Sequence, residues 1–181
     1  MGIVDDEYGS EAFQARLYNH GPLKWGGSPR SIRLDITRQE KVLLPLARRP
    51  LLHPYSDSAL LEGAALTCYS LEEVLAEKLR ALGGQRRFII SRDIYDIHSL
   101  LQVGVLVEQA IHLLPGKLEI RGMAVSDLDP ERLVKHKAEF ELDRERRLGY
   151  LVKPLQKVDF EPAWESAVDC IRQARRRLQK R

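Results

Sequence analysis

Disulfide chemistry, zinc clusters and bilayer spans are what this chain most plainly lacks. Its 181 residues include two cysteines, Cys68 and Cys170, far apart and without a Cys-x-x-Cys or histidine partner spacing. That excludes a disulfide framework and a cysteine-based zinc site, and both read as ordinary core or surface thiols. No apolar run approaches the roughly 18 residues that cross a bilayer. Met1 to Ser10 is acidic and has no signal-peptide core, so no membrane partner is expected and the cytoplasm is the simplest location. Charge of one sign is also scarce, since the formal net charge of +3 is too small to name a partner. Its distribution is uneven, however: Arg172, Arg175, Arg176, Arg177, Lys180 and Arg181 crowd the last ten residues with no acid among them. Such a tail suits phosphates, or it stabilises and solvates the C-terminal end of a helix, the simpler reading.

With 44% apolar and 30% charged residues, neither disorder nor a membrane protein is indicated; no internal repeat appears, and one domain with a real core is expected. Phe13 to Tyr18 and Ser31 to Thr37 read as two strands of a hairpin, joined by a long loop over His20 to Arg30. Pro45, Pro50 and Pro54 forbid a helix through Leu43 to Asp57, and Leu60 to Tyr69 resembles a further strand. Ser70 followed by Glu73 forms a capping box that starts a helix at Leu71, with Gly83-Gly84 as its stop. Ser91 caps a second helix reaching about Gln102 before Gly104 interrupts it. A short helix over Val105 to Leu114, a charged one from Pro130 towards Arg147 and a terminal one over Glu161 to Lys180 complete the pattern. The fold class is α+β, strands first and helices after, divided at 1–69 and 70–181.

Two stretches place charge where the surrounding pattern asks for hydrophobes, which marks a functional site more often than packing. Lys78 shares a helical stripe with Leu71, Val74, Leu75 and Leu82, and so is predicted to point inward. Ile90, Ile94, Ile97 and Leu101 define the next stripe, with Asp93 on its shoulder and Asp96 turned to the opposite side. Burying an ammonium without a partner costs about several kcal/mol, so Lys78 needs a carboxylate or a phosphate. The same pattern also fits a Lys78–Asp93 ion pair that merely joins two helices. Asp35 lies on the polar face of the strand Ile32 to Ile36 with Arg33 and Thr37, as a metal ligand or a solvated residue. Asp129 before Pro130 is better explained as a helix cap than as half of a metal pair with Asp127. His20, His53, His98, His112 and His136 have no metal-site spacing, and Gly26-Gly27-Ser28 reads as a turn.

Taken in order, Ile32 to Thr37, Tyr69 to Leu82 and Arg92 to Ile97 resemble the AbiEii/AbiGii toxin family of nucleotidyltransferases. The resemblance carries motif quality from Phe13 to Leu101 and remains compatible through Trp164. It implies the remnant of a polymerase β-like sheet of about three strands, antiparallel hairpin first, followed by a helical half. It further implies a toxin of bacterial toxin–antitoxin and phage-defence (abortive-infection) systems that moves a nucleotide from a nucleoside triphosphate to RNA, tRNA included, opposed by a cognate antitoxin. By the same resemblance Asp35 is a carboxylate of a two-Mg²⁺ site, Lys78 contacts the triphosphate, Asp93 is the acid of a later motif, and Arg92 and Asp96 support the nucleotide. One departure bears on activity. The family opens with Gly-Ser or Gly-Thr followed by Asp-x-Asp, whereas here Gly9-Ser10 leads to His20-Gly21-Pro22 and Gly27-Ser28 to the single Asp35. With one metal carboxylate of three, the chain alone is expected to be incomplete or inactive. The alternative is a non-catalytic module that binds an antitoxin, RNA or another copy of itself.

Overall fold

The computed structural model describes residues 2–5, 11–19, 30–37, 40–148 and 158–180. The segments holding Gly9-Ser10, His20-Gly21-Pro22 and Gly26-Gly27-Ser28 lie outside the described residues. The fold is α+β, with two small antiparallel sheets and a mainly helical remainder. It divides into two compact units, Met1–Glu40 and Lys41–Arg181.

In the first unit, β1 (Gly2–Asp5), β2 (Glu11–Asn19) and β3 (Arg30–Thr37) form an antiparallel sheet with β2 in the middle. The expected hairpin is β2–β3, and its register places Phe13 opposite Ile36, Ala15 opposite Leu34 and Leu17 opposite Ile32. These six residues share one face because side chains alternate along a strand. Asp35, opposite Gln14, belongs to the other face.

The second unit begins with a two-stranded ribbon, β4 (Ala47–Pro50) against β5 (Ala65–Cys68). The strand expected over Leu60 to Tyr69 is confined to β5. Ser58–Leu61 instead winds into a 3-10 turn, and Gly63 adopts a φ of 76° that a β-strand cannot include. Helix α1 (Leu71–Arg80) starts where expected, with the Ser70 hydroxyl accepting the Glu73 N–H. The reciprocal half of the capping box is not made, because the Glu73 carboxylate reaches the N–H groups of Leu43 and Leu44 instead.

Gly83-Gly84 does not stop this helix. The chain continues through one π-turn, Ala81–Gln85, closed by the Arg86 N–H donating to the Ala81 carbonyl at 2.9 Å. Here the glycines permit close approach rather than reversal. A Cβ on Gly83 would sit 2.8 Å from a Leu128 methyl, one on Gly84 would collide with the Asp127 carbonyl, and the Asp129 N–H donates to the Gly83 carbonyl at 2.8 Å.

Helix α2 (Arg92–Gln102) ends as expected before Gly104, whose φ is 83°. Helix α3 (Val107–Glu119) is longer than the sequence suggests, since it runs through Pro115. A proline there forfeits a backbone bond at a cost of about 3 kcal/mol, offset by the burial of Ile111, Leu114 and Leu118 on the same helix. Asp129 caps α4 (Pro130–Lys135), accepting the N–H groups of Glu131 and Arg132. The charged stretch towards Arg147 breaks at His136 into α4, α5 (Lys137–Asp143) and a π-turn over Arg144–Leu148. Helix α6 (Phe160–Leu178) supplies the centre of the core, with Ala163, Ala167, Ile171 and Ala174 fully buried against Leu75, Leu79, Ile94 and Ile97. The Trp164 ring packs against Phe140 and Phe160, with centroids 5.5 and 5.6 Å away.

Candidate functional site: an ion cluster between α1 and α2

The buried side of α1 centres on Leu75, Ala76 and Leu79 and continues to Leu82 in the π-turn, while Leu71 is exposed. Lys78 therefore lies at the border of the apolar stripe, its side chain 21% exposed, and its ammonium extends to α2. There it meets Asp93 Oδ1 at 2.8 Å and Asp96 Oδ2 at 2.6 Å. Asp96 was expected to face away from Asp93. Residues three apart on a helix share a face, and the two carboxylates converge on one ammonium.

Asp93 is fully buried and holds a second cation. Arg86 Nε donates to Asp93 Oδ2 at 2.7 Å, and Arg86 Nη2 lies 3.3 Å from Oδ1. The π-turn explains how Arg86 arrives: the extra residue in the turn carries the chain round until the guanidinium faces the first turn of α2. Its carbonyl is pinned in turn by the Arg132 guanidinium at 3.1 Å. Nothing in the apolar periodicity signalled Arg86, because it follows the glycines at which the helix was expected to end.

Electrostatics follow from this geometry. Burial works against charge on Asp93, but the Arg86 hydrogen bond and the Lys78 and Arg86 charges outweigh it and hold the carboxyl below its ordinary pKa. Burial likewise opposes the Lys78 ammonium, and Asp93 and Asp96 more than compensate, raising its pKa. Among the described residues, the Lys78 and Arg86 cations meet the Asp93 and Asp96 carboxylates here.

The N-terminus of α2, which carries Asp93, is fixed from outside the helix. Ser91 does not cap it with its own side chain. Instead, both its N–H and its hydroxyl donate to Asp143 Oδ2 of α5, at 2.9 and 2.8 Å. Arg92, the remaining expected nucleotide contact, is exposed on the first turn of α2.

A second cluster on the opposite flank of α1 was missed. Lys117 of α3 is fully buried, and its ammonium contacts Glu73 at 2.8 Å, Glu77 at 2.9 Å and the Lys41 carbonyl at 2.6 Å. Together with the Glu73 bonds to Leu43 and Leu44, it ties residues 41–44 to α1 and α3.

Asp35, in the first unit, pairs with Arg33 at 3.1 Å, and both side chains are largely solvent-exposed. Among the described residues no three His, Cys, Asp or Glu side chains assemble into a metal site. The residues described thus do not fit a two-Mg²⁺ platform: Asp35 offers a single carboxylate, and Asp93 is already matched by two cations. His98 packs against the Ser166 hydroxyl at 3.0 Å, and His53 pairs with Asp57 at 2.6 Å. At the basic end of α6, Arg172 faces Glu131 and Asp169, and Arg177 pairs with Glu108. Among the described residues no helix is long and apolar enough to cross a membrane.

A lysine pinned between two aspartates at the junction of two helices defines a protein with a polar centre built on α1 and α2. The family model of the AbiEii nucleotidyl transferase toxin, type IV toxin–antitoxin system, matches residues 3–173, and the chain belongs to that family. Comparison with curated proteins and with solved structures gave no match.

Proposed function

We propose that the α1–α2 cluster is the triphosphate-facing side of a nucleotidyltransferase centre that transfers a nucleotide to an RNA acceptor. The observation that carries this reading is Lys78. It is a lysine with a raised pKa, partly open to solvent, and fixed by Asp93 and Asp96 from the facing helix. An ammonium held this way can offset charge on the β- and γ-phosphates while an acceptor hydroxyl displaces pyrophosphate from the α-phosphorus. Arg86 and Asp143 act behind it, the first by orienting Asp93 and the second by fixing the start of α2. Arg92, exposed beside Asp93, is the second proposed nucleotide contact. Magnesium belongs to the proposal only as the ion that accompanies the triphosphate, and no step is derived through it. A cognate antitoxin, a role in defence against phage and a cytoplasmic setting complete the proposed role.

The test is incorporation of labelled nucleotide into RNA by the purified chain, with tRNA as one acceptor, each of the four triphosphates supplied with Mg²⁺. Incorporation that disappears in Lys78→Ala is the expected result. Incorporation unaffected by Lys78→Ala would refute the assignment. The engagement of Lys78 by carboxylates of the protein itself favours a second reading, a binding module for an antitoxin, RNA or another copy. In that case no triphosphate is turned over, and the purified chain instead retains RNA or antitoxin or self-associates.

A further inference from the structure

We propose that Asp96 is an internal competitor for the triphosphate: its carboxylate takes up Lys78 capacity that a phosphate oxygen requires, so that binding proceeds by exchanging one anion for the other. This rests on the assignment of Lys78 as the triphosphate contact. An ammonium has three donors, and here two carboxylates engage it, at 2.8 and 2.6 Å. The two are not equivalent. Asp93 is 0% exposed and also pairs with the buried Arg86, so its departure would break a second, buried ion pair. Asp96 is 38% exposed, lies one turn further along α2, and can rotate into water. Breaking a partly exposed ion pair of this kind costs little. Asp96 is therefore the partner that yields, while Asp93 stays and keeps Lys78 aimed.

Competition has a sign that a structural role lacks. If Asp96 merely helped to build the site, its neutralisation would weaken anion binding. If it competes, neutralisation strengthens binding, and does so through Lys78 alone. The test is calorimetric titration of the full chain with inorganic tripolyphosphate in metal-free buffer, comparing wild type, Asp96→Asn, Lys78→Met and the double variant. Asp96→Ala serves as a second neutral variant, and circular dichroism verifies that each protein is folded. The expected result is a Kd about fivefold lower in Asp96→Asn, of the order set by loss of a partly exposed pair, and no gain from the same change in the Lys78→Met background. Equal or weaker binding by both neutral variants overturns the proposal. So does a gain that persists without Lys78, which would be general charge repulsion, or a lack of tripolyphosphate binding by every protein. Tighter binding of the neutral variants without nucleotide transfer to any RNA would instead remove the transferase assignment and leave the competition standing.

Discussion

Replacing Asp93 with asparagine isolates the keystone of the cluster, because the change preserves shape and removes one charge. Asp93 is fully buried and accepts from both Arg86 and Lys78. In Asp93→Asn, Lys78 retains Asp96, but the buried Arg86 guanidinium loses the Asp93 carboxylate. Removing one member of a buried ion pair costs about 3–5 kcal/mol, a large part of the roughly 5–15 kcal/mol that holds a typical domain together. For a helical unit of this size that corresponds to a fall in Tm of about 10 °C at pH 7. The same substitution changes the acid limb. Because the Asp93 pKa is lowered in the folded protein, its contribution is complete above the unfolded pKa of about 4 and is lost as pH falls through the depressed folded value. The stability gap between wild type and variant is therefore constant from pH 7 to about 5 and closes in more acid solution. Urea unfolding followed by circular dichroism, repeated from pH 7 to 3, measures both effects. A variant within about 1 kcal/mol of wild type at pH 7, inside the range of exposed pairs, or a gap that persists undiminished in acid, would refute the keystone role.

Lys117→Met should destabilise by about 3–5 kcal/mol, because it strands Glu73 in the interior. Lys117→Met combined with Glu73→Gln should recover much of that loss, since glutamine still accepts the Leu43 N–H while carrying no charge. Urea midpoints decide it, and a double variant as unstable as the single one would contradict the ion-cluster account. The Cys170 thiol, pushed up to about 11 first by burial and then by Asp169, should resist iodoacetamide at pH 9 while the partly exposed Cys68 reacts. Stability from the Cys170 proton is complete below the ordinary thiol pKa and declines as pH rises towards about 11. Equal alkylation of both cysteines in folded protein at pH 9 would show that Cys170 is not protected.

What was legible in the sequence was local and periodic. Strand alternation marks β2 and β3 and the two faces of β3, and Ser70, Asp129 and Gly104 mark helix ends through side-chain and backbone chemistry that acts within a few residues. Lys78 was found because it interrupts an apolar stripe on an uninterrupted helix. Lys117 carries the same signal, seven residues after Ala110 and three after Leu114, both fully buried. It went unread because Pro115-Gly116 suggests that a helix has already ended. In the structure Gly116 instead gives Leu43 a place to lie against α3. Gly83-Gly84 misleads in the same way. Glycine serves close approach as readily as chain reversal, and only the distant segment over Asp127 to Asp129 decides which. The error at Gly83-Gly84 then hid Arg86, and with it the reason that Asp93 can be buried as an anion. A Lys78–Asp93 pair considered alone would exchange for two apolar side chains at little cost. As part of a larger cluster it cannot, since that exchange takes the Asp93 carboxylate from Arg86 and the Lys78 ammonium from Asp96. The α1–α2 junction is thus charged by construction, and the exposure of Lys78 and Asp96, rather than the buried half, is what leaves it open to an anionic ligand.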